Sequence, residues 1–183
     1  MGSRQEDFNN GFTARMLLLL ESKPIFNDSA YNVLVKDILR YWYTLTLNYE
    51  YRRDPFDDNN KKYWKRLKLK FARKLTCFSM IACLYKPNIT MEDVISFVKM
   101  TPFERLENIK TFVPNIDKSI ESIKNEYEWF LELRNEDACW WNDAKNKKEA
   151  FMHAEKFHNL LIHDFMVMVE KSNIDLKEKT DIY

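Results

Sequence analysis

The sequence predicts an all-α protein, an antiparallel helical bundle of four long helices with short helices that connect them. The chain has 183 residues and only two glycines, Gly2 and Gly11. Two-residue β-hairpins depend on glycine in their turns, so tight hairpins are disfavoured after residue 11. Apolar residues recur instead at steps of three and four, the spacing of an amphipathic helix. The two observations together favour helices over sheets.

Prolines and small polar residues set the ends of the predicted helices. Pro24 ends the first helix, because the residue before a proline is pushed out of the helical region. Asn27, Asp28 and Ser29 are N-cap candidates for the second helix. Pro102 suits the first turn of a short helix, where its missing N–H costs nothing. The predicted helices are residues 11–22, 29–51, 61–85, 91–100, 102–110, 117–133 and 144–171, of which 29–51, 61–85, 117–133 and 144–171 are the long ones.

The predicted start of the short helix 91–100 depends on Thr90 and Asp93. These two residues match a capping box only loosely, because the box prefers Glu or Gln at its last position.

Apolar spacing supports the long helices 61–85, 117–133 and 144–171. The predicted inward-facing residues are Tyr63, Leu67, Phe71, Leu75 and Phe78 in the helix 61–85, Ile120, Ile123, Tyr127, Phe130 and Leu133 in the helix 117–133, and Phe151, Ala154, Phe157, Leu161, Phe165 and Met168 in the last helix.

Length and composition predict a single domain of a cytoplasmic protein. We expect one helical domain at residues 11–171, a disordered or tag-derived segment at 1–10 and a charged tail at 172–183. Cys77, Cys83 and Cys139 are an odd number without metal-site spacing, which favours reduced thiols. The run MLLLL is too short to span a membrane. The net charge of +1 gives the whole molecule no strong attraction to nucleic acid or to anionic membranes.

The stretch KKYWKRLKLKFARKL, Lys61 to Leu75, has eight basic residues and no acidic one. On a helix it places Lys62, Arg66, Lys70 and either Arg73 or Lys74 in one basic stripe. One interpretation is a structural one, in which the stripe is either solvated or neutralised within the fold by residues 117–143. The net charge is +7 for residues 52–74 and −5 for residues 117–143. The alternatives are contact with phosphate or nucleic acid and docking of an acidic partner.

A polar stripe also runs along the helix 29–51, which is otherwise apolar and aromatic. Its members are Asp37, Arg40, Tyr41, Thr44 and Asn48. Buried polar side chains need partners, so we expect Asp37 to pair with Arg73, and Arg40 to pair with a Glu of residues 117–143. The stripe is either a structural network or part of a ligand pocket.

No other cluster predicts catalytic or metal chemistry. His153, His158 and His163 are five apart, and each step of five turns an α-helix by about 140°, so the three do not share a face. Neither a zinc site nor a cofactor site is expected.

Several segments resemble the helical C-terminal region of bacterial nucleotidyltransferase-like proteins, a group distantly similar to the PII-uridylyltransferase class. The segments are ARMLLLLESKPIFNDSAYN (14–32), LVKDILRYWYTLTLNYEYRR (34–53), WKRLKLKFARKLTCFSMIACL (64–84) and MTPFERL (100–106), so the resemblance covers residues 12–106. The chain keeps equivalents of the family residues at Asp37, Arg40, Tyr41, Tyr49, Glu50, Lys68, Lys70, Arg73 and Lys74. The family's catalytic Gly-Ser and Asp-x-Asp pair lies in a preceding domain, and Gly2-Ser3 has no Asp-x-Asp after it.

The resemblance implies a non-catalytic helical domain that positions substrate for a nucleotidyltransferase-like system or regulates it. The expected ligand residues are Asp37, Arg40, Lys68, Lys70 and Arg73, beside a basic face of Lys62, Arg66 and Lys74. If they share one cleft, it suits a phosphate-bearing substrate, because Arg contacts phosphate in a bidentate manner. The expected partner is another protein, such as a nucleotidyltransferase.

Two alternatives stay open. One is a small protein-interaction module of the phage-inhibitor or antitoxin type, with an interface at Trp129, Trp140 and Trp141, because aromatic residues anchor interfaces. The other is an RNA- or nucleotide-binding module that uses the stripe at 61–75. A homodimer is compatible with each of them.

Overall fold

The all-α class is confirmed by a computed structural model that describes residues 3–21, 28–51, 60–133 and 140–172. No strand occurs in these ranges. The helices are α1 (Ser3–Glu21), α2 (Asp28–Tyr51), α3 (residues 60–83), α4 (Met91–Lys99), α5 (Pro102–Ile109), α6 (Asp117–Glu132) and α7 (residues 144–172), with a 3-10 turn at Trp140–Asn142. The predicted tail 172–183, apart from Ser172, and Cys139 lie outside the described residues.

The first helix differs most from its prediction. It begins at Ser3 instead of Gly11 and has 19 residues, so the segment expected to be disordered or tag-derived is helical from Ser3 onward. Its inward face carries Phe12, Met16 and Leu20, all buried. The sequence does not predict this start, because the residues before Gly11 are mostly polar and begin with a motif that resembles a cloning remnant.

Two of the helices contain wide π-helical turns. In α3 the α-helical part Asn60–Lys68 is followed by a π-helical part, Leu69–Arg73, and then by Lys74–Cys83. In α7 the π-helical part is Leu160–Met166, between Ala144–Asn159 and Val167–Ser172. Such turns widen the backbone from i→i+4 to i→i+5 hydrogen bonds.

The apolar spacing explains where the wide turns fall. Buried residues recur every four positions in both helices: Leu67, Phe71 and Leu75 in α3, and Phe157, Leu161, Phe165 and Val169 in α7. In a regular α-helix each step of four drifts about 40° around the axis. A wider turn removes that drift, so one face can bury the whole series.

An aromatic cluster at Phe71 joins the long helices. The Phe71 ring stacks on Phe130 of α6, with centroids 4.7 Å apart and planes within 4°, and it also lies 4.7 Å from Phe157 of α7. Stacked aromatic pairs add about 0.5–1.5 kcal/mol beyond their buried area. The core therefore has its centre at the π-helical part of α3.

Side-chain contacts give the directions of the helices around α3. The Tyr49 hydroxyl near the end of α2 donates to the Lys62 carbonyl near the start of α3. Trp42, earlier in α2, lies against Phe78 near the end of α3. These two helices are therefore antiparallel. Helices α3 and α7 run in the same direction, because Arg66 lies at Phe151 and Lys70 lies at Glu155.

The short helices carry complete capping boxes. The Thr90 hydroxyl accepts from the Asp93 N–H, and the Asp93 carboxylate accepts from the Thr90 N–H at 3.0 Å. Thr101 and Glu104 do the same in α5. The loose match at Thr90 is thus a full box, because Asp reaches back to the cap as Glu does.

Arg105 connects the short helices to α3. Its buried guanidinium donates to the backbone carbonyls of Phe97 at 2.8 Å, Thr76 at 3.0 Å and Val98 at 3.2 Å. Burial lowers the pKa of Arg105 to about 10.

Within the described ranges, no helix is long and apolar enough to cross a membrane.

Candidate functional site

The side chain of Lys74 lies at the junction of α2, α3 and α7. It follows directly on the π-helical part of α3 and is only 6% exposed. Its Nζ atom contacts Nδ1 of His158 on α7, and it lies 5.7 Å from the centre of the Trp42 ring on α2. A buried amine thus faces an imidazole and an indole ring.

The charge around Lys74 is predominantly positive. Lys70 lies one turn before it, and the acid whose charge acts on Lys74 is Glu155, whose carboxylate is 4.0 Å from the Lys70 amine and 64% exposed. The pKa of Lys74 is lowered to about 8, first by burial and then by the charge of Lys70, while Glu155 acts in the opposite direction. Placing like charges together in a poorly solvated place disfavours the protonated amine.

The imidazole of His158 is held neutral by the same surroundings. Burial lowers its pKa, and the charge of Lys74 adds to the effect. Neutral imidazole can accept a hydrogen bond from the Lys74 ammonium at Nδ1 while Nε2 carries the hydrogen. The pair is therefore a cationic donor that faces a neutral acceptor.

His163 joins the site because α7 is widened there. Its ring centre lies 5.6 Å from that of His158 in a T-shaped arrangement. The expectation that histidines five apart do not share a face is wrong for these two, because five residues is close to one repeat of π-helical turns. His153 lies elsewhere, stacked on Trp129 at 3.7 Å.

Arg73 extends the positive region toward α1 and α2. Burial lowers its pKa, and an interaction with Tyr41 on α2 raises it. Burial raises the pKa of Tyr41, and the guanidinium of Arg15 on α1 lies 5.4 Å from the centre of its ring. Consecutive cations, Arg73 and Lys74, thus meet consecutive aromatic residues of α2.

The basic stripe predicted from the sequence lies along α7. Arg66 stands 4.6 Å from the centre of the Phe151 ring, and Lys70 and Lys74 follow at Glu155 and His158. Lys62 is half-buried on the turn before them, and Lys68 lies 5.5 Å from the Trp64 ring. The stripe is therefore a seam between two helices and not an outer face.

The predicted ion pairs of the two charged segments are not the ones formed. Asp37 bonds Arg40 on its own helix at 3.2 Å, where the Arg40 side chain is 77% exposed. In the acidic segment, the buried Glu126 contacts His153 at 2.8 Å and also Lys156. Glu126 thus pairs with two residues of α7, and Asp37 pairs within its own helix.

The three tryptophans expected at an interface have different surroundings. Trp141 is buried, with its ring 5.7 Å from that of Trp64. Trp140 is half-buried and contacts Trp141 edge-on at 4.9 Å. Trp129 is half-buried and covered by His153. The 3-10 turn directs one of the adjacent rings inward and leaves the other near the surface.

Comparisons with known proteins place no relative beside this chain. No family model matches it, and neither a curated protein nor a solved structure does. In the described part of the chain, no three His, Cys, Asp or Glu side chains are grouped closely enough to hold a metal ion.

Proposed function

We propose that this protein is a non-catalytic helical domain that binds a phosphate-bearing ligand at the Lys74 site, in the service of a nucleotidyltransferase-type partner or domain. The ligand residues in this proposal are Lys70, Arg73, Lys74 and His158, and the four long helices form one bundle around them. The observation that carries the proposal is the buried Lys74 amine, which faces a histidine and has another lysine beside it.

Burying a cation is costly in free energy. An ammonium that leaves water loses solvation, and only an opposite charge or several hydrogen bonds offset that loss. Here the acid that acts on Lys74, Glu155, is mostly exposed and lies against Lys70. A bound anion would supply the missing negative charge and return the pKa of Lys74 toward its usual range.

Phosphate suits the donors better than a carboxylate does. Lys70 and Lys74 provide two ammonium groups, His158 provides a ring N–H, and Arg73 provides a planar fork suited to bidentate contact. A phosphate group carries up to two negative charges and three acceptor oxygens. The resemblance of residues 12–106 to nucleotidyltransferase-like proteins favours the same class of ligand.

Nucleic acid is a weaker candidate. Single-strand binding needs exposed aromatic rings that stack on bases along a basic groove. The rings beside the stripe are instead engaged within the fold, Phe151 by Arg66 and Trp64 by Phe130.

The test is calorimetric titration of the full chain with pyrophosphate and with ATP. Lys74→Met removes the charge and keeps the length of the side chain. Lys118→Met removes a lysine charge from the exposed surface of α6 and is the matched control. We expect wild type and the control to bind alike and Lys74→Met to bind at least about tenfold more weakly, the loss of one charged contact.

Each outcome decides the proposal. Wild type should take up protons on binding near pH 8, because the anion raises the pKa of Lys74. Equal affinity in wild type and Lys74→Met, or no binding of either probe to wild type, would reject the site. Circular dichroism of the variant distinguishes a lost contact from a lost fold.

A further inference from the structure

The outer face of α2 is the main apolar surface of the described chain. The inner face of this helix is buried through Leu34, Val35 and Ile38. The large apolar residues left exposed in the described ranges are Leu18, Val33, Tyr43, Leu47, Tyr51, Leu131 and Met152. Most of them lie on α2, where Leu47 is 69% and Tyr51 is 90% exposed. Large exposed apolar side chains concentrated on one helix favour an interaction surface there.

The exposed residues of α2 have the spacing of a coiled-coil seam. Steps of three and four alternate without interruption through six positions, all of them exposed. They are Val33, Lys36, Arg40, Tyr43, Leu47 and Glu50. In heptad terms Val33, Arg40 and Leu47 are a positions, and Lys36, Tyr43 and Glu50 are d positions. A helix with this seam can pack against one more helix along its outer side.

We propose that the helix covering this seam is α2 of a second copy of the chain, packed in the antiparallel direction. An antiparallel pair brings a positions against d positions of the other copy. Tyr43 then packs on Leu47 of the second copy, and Arg40 meets Glu50 of the second copy. The two-fold axis repeats both contacts. The result is an apolar centre with an ion pair at each end.

Charge complementarity selects this arrangement over the parallel one. Parallel α2 helices would place Arg40 on Arg40, Lys36 on Lys36 and Glu50 on Glu50, and like charges across an interface are repulsive. The present bond of Arg40 to Asp37 does not compete strongly, because it is an exposed pair within one helix. The self-complementary order of charges is what favours a second copy over an unrelated partner.

The first experiment measures the mass in solution by sedimentation equilibrium over a wide range of concentration. We expect a reversible dimer of twice the 22.2 kDa chain. Leu47→Asp places a charge in the apolar centre and should yield monomer. Met152→Asp makes the same change at a similarly exposed residue of α7, 63% exposed, and should leave the dimer intact.

A charge exchange tests the register independently of folding. Arg40→Glu alone and Glu50→Arg alone should each raise the dimer Kd about tenfold or more, because each creates a like-charge contact. The double variant restores opposite charges across the axis and should recover most of the affinity.

Three results would overturn the proposal. They are a monomer at every concentration, a dimer that Leu47→Asp leaves unchanged, and single charge reversals whose effects add in the double variant instead of cancelling. The outcome is separable from the ligand proposal, because Lys74→Met should not alter the dimer.

Discussion

The amine of Lys74 meets the imidazole of His158 across 84 positions of the chain. Both groups have a pKa below the usual range, and burial is the first cause for each of them; the charge of Lys74 lowers the pKa of His158 further. The contact joins α3 to α7 directly after the widened turn of the first helix and directly before that of the second. A buried amine thus faces a neutral imidazole at the junction of the two helices.

The stability of the protein should depend on pH through Lys74. Its folded pKa of about 8 lies below the usual 10.5, so above pH 8 the unfolded chain binds more protons than the folded one and stability rises with pH. We expect Lys74→Met to be more stable than wild type at pH 7. The difference in free energy of unfolding should shrink by about 1 kcal/mol between pH 8 and pH 9.

Urea unfolding at a series of pH values measures that difference. Comparing the two proteins removes the titration of the thiols, which is common to both. If Lys74→Met is less stable than wild type at pH 7, the contact of Lys74 with His158 stabilises the fold, which contradicts this prediction.

Replacing Arg105 by Lys should destabilise the fold by about 3 kcal/mol. The guanidinium satisfies three buried carbonyls at fixed angles, and a single ammonium group cannot reach all of them. Arg40→Lys changes an exposed arginine of α2 and should cost less than about 0.5 kcal/mol. Equal losses in the two variants, measured by denaturant unfolding, would contradict the assigned role of Arg105.

The thiols of Cys77 and Cys83 should resist modification in the native protein. Both are fully buried, and burial raises the pKa of each to about 12. Since the thiolate is the reactive form, a disulfide reagent at pH 8 should label them only when the chain opens. Mass spectrometry of a Cys139→Ser variant, in which Cys77 and Cys83 are the remaining cysteines, measures the rate at which they are labelled. Rapid labelling without denaturant would contradict the prediction and show that α3 opens locally.

Glu126 should matter more for stability than its neighbour Glu128. Glu126 is buried between His153 and Lys156, whereas Glu128 is exposed on the same helix. Glu126→Gln keeps the shape but removes the charge that both partners face, so we expect a loss of about 2–3 kcal/mol, against little change for Glu128→Gln. Thermal unfolding of the two variants at pH 7 provides the comparison, and indistinguishable melting temperatures would reject it.

Local sequence patterns predict most of the secondary structure correctly. The ends of α2 and α4 through α7 fall within a few residues of their predicted positions, because prolines, caps and apolar spacing act within one or two turns of the backbone. The start of α1 was missed, since its first residues carry neither an apolar stripe nor a capping pattern that stands out.

The sequence predicts only some of the residues of the candidate site. Charge and spacing point to Lys70, Arg73 and Lys74, but regular α-helical turns do not place His158 and His163 on one face. The repeat of apolar residues every four positions at Phe157, Leu161, Phe165 and Val169 was the signal for a wider turn, and with it the two histidines would have been placed together.

Local sequence patterns predict that this protein is helical and where most of its helices lie, because hydrogen bonding and apolar burial along a helix depend on residues a few positions apart. The tertiary structure alone shows which helix the basic stripe of α3 faces and which groups lie beside its charges. Those partners lie on α7, about half the chain away, and electrostatic interactions act through space between side chains that packing alone brings together. For that reason Glu126 pairs with His153 and Lys156 instead of the stripe, and Lys74 is left buried beside His158.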